Sequence, residues 1–223
     1  MSRRLIALGS ALAACLSLLA VLAGPVNAAE TTGRGLLAKL TVASEAGTTQ
    51  YSDAKFKPWG DLDDDCQSTK QEVLIQESRT GVGYTKFPMC TVAAGSWISP
   101  YDGQEFPAHP TYMAVDHRVS MKEAWQSGAY WWSTASRERF ANDLAYAHTL
   151  VAVSKAADTE KGDSDPAGWL PSHPYRQCNY ALAWIQVKYR WKLTIDPVEK
   201  AALLEVLEGD CRTRTVVIPP RAI

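Results

Sequence analysis

The chain has 223 residues, five cysteines, 46% hydrophobic residues and a formal net charge of −1. Such a balance supplies no global field to recruit a polyanion, so any nucleic-acid contact must come from a local basic patch. Eight Trp and nine Tyr furnish a sizeable core. Beyond the N-terminus no segment is apolar for long enough to span a membrane.

Arg3 and Arg4, the apolar run Leu5 to Gly24 and the small residues "VNA" read as an export signal, cleaved after Ala28 or Ala29. "SRRLIA" resembles a twin-arginine signal and "LAAC" a lipobox at Cys15, but the apolar run continues past Cys15. The expectation is a signal over 1–28 and one secreted, extracellular domain over 29–223, without membrane attachment or an obligate protein partner. Cleavage removes two arginines and no acid, taking the formal charge from −1 to −3. It also removes Cys15, leaving Cys66, Cys90, Cys178 and Cys211.

"GLLAKLTVA" within 31–51 predicts an N-terminal helix or packed arm. Asp61 and Asp63 to Asp65 lack the alternation and Gly of a calcium loop and read as a solvated turn. "KQEVLIQE" (70–77) fits helix or strand, and the Gly- and Pro-rich 91–110 reads as turns and short extended pieces. "YMAV" (112–115) is a short buried strand that ends in Asp116 and His117. A strand end is a costly place for two such groups unless they are paired or bound.

A helical insertion follows. Trp125, Ala129 and Trp132, then Phe140, Leu144 and Ala147, fall on helical spacing, with Ser133 and Thr134 at the cap. "TLVAVS" (149–154) predicts a second short strand, and "KAADTEKGDSDPAGWLP" a short helix broken by Gly162 and Pro166. Over 178–193 a helix carries Leu182, Ile185 and Tyr189 on one stripe, flanked by Trp184 and Trp191. Asp196 as N-cap, Pro197 at the first helical position and Glu199 at the third start another helix, which Gly209 ends. Two helices joined by "TI" pack antiparallel, so Cys178 pairs with Cys211 and Cys66 with Cys90. Zinc is the weaker reading, because no pair has the C-x₂-C spacing.

Asp116-His117 and the later acids Asp158, Glu160, Asp163 and Asp165 are individually unspecific, since acids at a helix start also answer the macrodipole. As an ordered set, "VDHRVSMKEAW", "FANDL" and "LVAVSKAADTEKGDSDPAGWLP" resemble the secreted bacterial branch of the HNH endonucleases. The resemblance extends to "CQSTKQEVLIQES", "GSWISPYDG" and "WIQVKYRW", and so covers most of the mature chain.

That resemblance implies an α+β fold with a ββα-metal core within about 112–171, a helical insertion between the strands and a C-terminal helical hairpin. It implies a metal-dependent endonuclease that hydrolyses phosphodiester bonds with little sequence specificity. DNA is the expected partner and RNA remains open. His117 matches the general base. Asp116 matches one metal ligand, and Asp158 stands where the family usually has Asn as the other. A carboxylate oxygen replaces an amide oxygen readily around a hard cation, Mg²⁺ or in its place Mn²⁺. Lys161 is a candidate for a phosphate, Glu123 for the outer shell of the metal. Trp125 and Asn142 read as braces of the insertion. Arg176, Lys188, Arg190 and Lys192 lie within the acid-free stretch from Pro166 to Ile195 and are candidates for a nucleic-acid patch. The rival is a secreted binding or structural protein that keeps this fold without catalysis, for which the Asp at 158 is the main argument.

Overall fold

The computed structural model describes residues 29–47, 49–209 and 211–223, so the expected signal over 1–28 lies outside the described residues. Among them the fold is mixed α+β, with strands only in two-stranded antiparallel sheets. Strand β1 (Glu30–Thr32) leads into helix α1 (Gly33–Leu37), and α2 (Thr69–Glu77) resolves the helix-or-strand ambiguity as helix. Four short strands follow: β2 (Gly83–Tyr84) with β3 (Val92–Ala94), and β4 (Trp97–Ile98) with β5 (Glu105–Phe106).

The central unit is β6 (Met113–His117), β7 (Leu150–Ser154) and α5 (Lys155–Lys161). The strands pair antiparallel from Met113↔Ser154 to His117↔Leu150, and every one of their residues is buried. Two-sided burial explains why "MAV" and "LVAV" are continuous apolar runs rather than alternating ones. Met113, Val115, Leu150 and Ala152 face a smaller core with Val73, Leu74 and Trp97. Ala114, Val151 and Val153 face the main core, where Ala157 of α5 packs.

Between the strands run α3 (Met121–Gln126) and α4 (Thr134–Ala141). The Ser120 hydroxyl caps α3 at the Glu123 amide, 3.0 Å, and Ser133 caps α4 at Ser136, 3.1 Å. Asn142 and Trp125 do brace this insertion. The Asn142 amide donates to the Lys57 and Glu138 carbonyls and accepts from the Gly60 amide and the Thr69 hydroxyl. The Trp125 indole donates to the Gly47 carbonyl, 2.7 Å.

Helices α6 (Pro174–Arg190) and α7 (Pro197–Glu208) complete the main core, and β8 (Thr215–Val217) pairs with β1. Asp196 caps α7 at the Val198 and Glu199 amides as expected. Helix α6 begins four residues earlier than the expected Cys178, because His173 caps it and Pro174 occupies its first position. The disulfides are Cys66–Cys90 and Cys178–Cys211, with Cα separations of 5.2 and 5.4 Å.

One carboxylate seals the free edge of β7. Glu77 accepts the Ala152 amide at 2.8 Å, and burial pushes its pKa from 4.5 up to about 7. Between those values the native state holds a proton that the unfolded chain has released, so this group's contribution to stability falls as pH rises from about 4.5 to 7. Glu77→Gln keeps an acceptor for the amide and removes the titration. The variant should therefore gain on the wild type as pH rises through that window, by roughly 2–3 kcal/mol at full effect. Urea unfolding of both proteins at pH 4.5 and pH 7.5 checks it; a difference independent of pH contradicts the assignment.

Candidate active site

Strand alternation sends Asp116 toward α5 and His117 toward the opposite side, at the end where the insertion departs. Both border a cavity of about 290 Å³, together with Tyr51, Asp53, Val115, Ser120, Met121, Asp158, Gly162 and Asp163. The sequence thus brings Asp116, His117 and Asp158 to one cavity from one strand and one helix. Asp158 stands in the first turn of α5, whose N-cap Ser154 accepts the Ala157 amide. Of the four acids expected at a helix head, only Asp158 and Glu160 are helical, while Asp163 and Asp165 lie beyond Gly162, which ends the helix at φ 51°.

His117 is 5% exposed, its ring 4.8 Å from the Trp59 ring and stacked at 6.2 Å on Phe140. Its Nε2 lies 2.9 Å from the Ala141 carbonyl oxygen. A carbonyl only accepts, so Nε2 carries the hydrogen, and in the neutral ring Nδ1 keeps its lone pair. Burial lowers the pKa of His117 below 6.5, against the pull of the Ala141 carbonyl and of Asp116. At neutral pH the ring is an unprotonated base.

Asp116 is 8% exposed and its carboxylate is held from two directions. The Lys161 ammonium lies 3.1 Å from Oδ1 and 3.0 Å from Oδ2, and the Tyr101 hydroxyl donates to Oδ2 at 2.7 Å. These three contacts leave one of the carboxylate's roughly four lone-pair directions free. Asp158 is half-buried, and burial, then the Asp116 charge, raise its pKa, while Lys161 and Lys70 pull it back. Two carboxylates that repel each other across one cavity form a hard-oxygen donor set, which fits a divalent cation such as Mg²⁺.

Several expected roles do not survive the geometry. Lys161 is fully buried, donating to Asp116 and to the His117 carbonyl at 3.2 Å, so it is an internal counter-ion and not a hand for phosphate. Glu123 is 3% exposed and does not line the cavity; its Oε1 accepts from Lys188 at 2.7 Å and from the Ser127 hydroxyl. The expected basic patch is also corrected. Lys188 is fully buried between Glu123 and Glu199, which raise its pKa against burial and keep it charged. Arg190 is 8% exposed and paired with Asp143 at 2.9 Å. Arg176 is half-buried on the Ser99 and Pro100 carbonyls, which leaves only Lys192 exposed.

Sequence reading missed Tyr51 and Asp53, joined by a hydrogen bond on the cavity rim. No local pattern marks them, because they reach the cavity from a remote irregular segment.

The geometry defines an α+β domain stapled by two disulfides, with one histidine and four acids on one cavity. The chain is 36% identical over 176 residues to an uncharacterized secreted protein of the fungus Arthroderma benhamiae, across 79% of this chain and 83% of the fungal one, and it belongs to the same family. It is a secreted protein, consistent with its disulfides. No helix among the described residues is long and apolar enough to cross a membrane. No protein-family profile matches the chain, and no solved structure matches it.

Proposed function

We propose that the protein is a secreted, metal-dependent endonuclease of the HNH type, hydrolysing phosphodiester bonds of DNA with little sequence specificity. RNA is the second substrate to test. The observation that carries this reading is the state of His117, a neutral ring fixed through Nε2–H with Nδ1 free, beside Asp116 and Asp158 on the same cavity. The β6–β7–α5 arrangement supports a ββα-metal core.

In this mechanism a water gives its proton to His117 Nδ1 as its oxygen attacks phosphorus and the 3′-oxygen departs. The resulting imidazolium strengthens its bond to the Ala141 carbonyl, so the ring needs no reorientation. Asp116 and Asp158 would hold a divalent cation, which stabilises the charge on the phosphate and the leaving oxygen when bound. Lys161 and Tyr101 fix the Asp116 carboxylate in one orientation.

The grip of Lys161 on Asp116 also favours a second reading, a binding protein of the same fold without catalysis, since an ammonium already balances one of the two acids. A plasmid-nicking assay separates the two. The purified protein should nick supercoiled DNA with Mg²⁺ or Mn²⁺, lose all activity in EDTA and regain it on adding the metal back. Folded protein that cleaves neither DNA nor RNA with any divalent metal supports the binding reading. Full cleavage after exhaustive chelation removes the metal from the mechanism.

A further inference from the structure

The acidic cavity cannot by itself attract a polyanion. Asp53, Asp116, Asp158 and Asp163 line it, and Lys161 is spent on Asp116. A second depression, of about 420 Å³, runs alongside. Lys70, Gln71, Leu74, Thr85, Thr111 and Lys155 belong to its lining, together with Met113, and no acid does. Strand β6 and helix α5 connect the two depressions. Met113 opens onto this one and His117 onto the acidic cavity; Lys155 opens onto this one and Asp158 onto the acidic cavity.

The charges here differ from those elsewhere around the site. Lys57 pairs with Glu138, Lys122 with Asp163, Lys161 with Asp116 and Lys188 with two glutamates. Among the described residues Lys70 and Lys155 make no ion pair, and Lys155 is exposed while Lys70 is half-exposed. Lys70 is also close enough to Asp158 for its charge to be felt there. Hydroxyls at Thr85 and Thr111 add neutral donors on an exposed rim.

We propose that this Lys70–Lys155 groove is the binding track for the phosphates of a nucleic-acid strand whose scissile bond lies at His117. The inference rests on the nuclease reading for the identity of the strand, but it concerns binding rather than cleavage. Four residues of β6 at about 3.3 Å each put roughly 13 Å between Met113 and His117. That spans three to four nucleotides of a stacked strand at about 3.4 Å per step. Two lysines and two hydroxyls along this length meet backbone oxygens, not base edges, and so confer affinity without sequence preference. The groove takes over the role that the buried Lys188 and Arg190 do not fill.

The test is binding of a fluorescent 12-nucleotide DNA strand by anisotropy in EDTA, across a salt series, with cleavage of the same strand measured separately with Mg²⁺. The full-length secreted protein is compared with Lys70→Glu/Lys155→Glu, with the single Gln variants, and with Lys39→Glu, a single charge reversal in the turn after α1. The double variant should bind about 10-fold or more weakly at 0.1 M salt. Its salt slope should fall by about 1.4 if each lysine neutralises one phosphate of a single strand. Lys39→Glu should match wild type, and the Gln variants should each lower the slope by about 0.7, half the loss of the double variant, a readout that survives if the double variant does not fold. Unchanged slopes in the folded variants overturn the proposal, as does a wild type that does not bind the strand. Binding lost in the variants with no cleavage by wild type keeps the groove and removes the nuclease. Cleavage by wild type with unchanged binding in the variants removes the groove and keeps the nuclease.

Discussion

Replacing His117 should lower the cleavage rate by about 10²- to 10⁴-fold, the contribution of a general base. The choice of substitute matters, because the ring fills space against Trp59 and Phe140 and donates to Ala141. His117→Ala leaves a void and an unpaired carbonyl, and part of its effect would be structural. His117→Gln keeps a donor for Ala141 and has no basic nitrogen. It should remain folded and lose nearly the same activity. Because burial lowers the pKa of His117, the wild-type rate should rise with pH through a value below 6.5 and be level at pH 7, and this limb should vanish in the variant. Stability has the same origin. Below pH 6.5 the unfolded chain takes up a proton that the native ring resists, so wild type loses stability on acidification and His117→Gln loses less. A folded Gln variant that cleaves like wild type would falsify the assignment.

The second large effect is expected at Asp158. Asp158→Ala offers no oxygen and should lose most of its activity at millimolar Mg²⁺, with partial rescue at higher metal. Asp158→Asn supplies an amide oxygen, retains cleavage and needs more metal, because one of two repelling negative charges has left the cavity. Removing that charge also relieves the repulsion with Asp116, so Asp158→Asn should be as stable as wild type or slightly more so. Rates measured against Mg²⁺ for the three proteins, with thermal unfolding alongside, decide the matter. If Ala and Asn both match wild type, Asp158 serves only as an acid in the first turn of α5.

What could be read from the sequence was whatever is local. The runs "MAV" and "LVAV", the caps at Ser133 and Asp196, and the short link between α6 and α7 each follow from a few neighbouring residues. They fixed the strands, the hairpin and both disulfides. Where Lys161, Glu123, Lys188 and Arg190 end up depends on the partner surface. Lys188 follows Ile185 by three residues and Trp184 by four, on the face of α6 that packs inward. Spacing alone could have flagged it. Lys161 carried no such mark, because its burial depends on Asp116, forty-five residues away. Tyr51 and Asp53 were likewise invisible, arriving at the cavity through an irregular segment without periodicity.

Strand β1 at the start of the described chain pairs with β8 near its end, Glu30 opposite Val217, and the Ile218 amide bonds to the Ala29 carbonyl. A polypeptide that crosses an export channel N-terminus first cannot close this seam until residues 215–218 have emerged. The β6–β7–α5 unit needs only a contiguous stretch and can assemble sooner, but α1 packs on α6 and α7 and is latched by β8. On a route that threads the chain unfolded, formation of this seam is therefore tied to the emergence of β8.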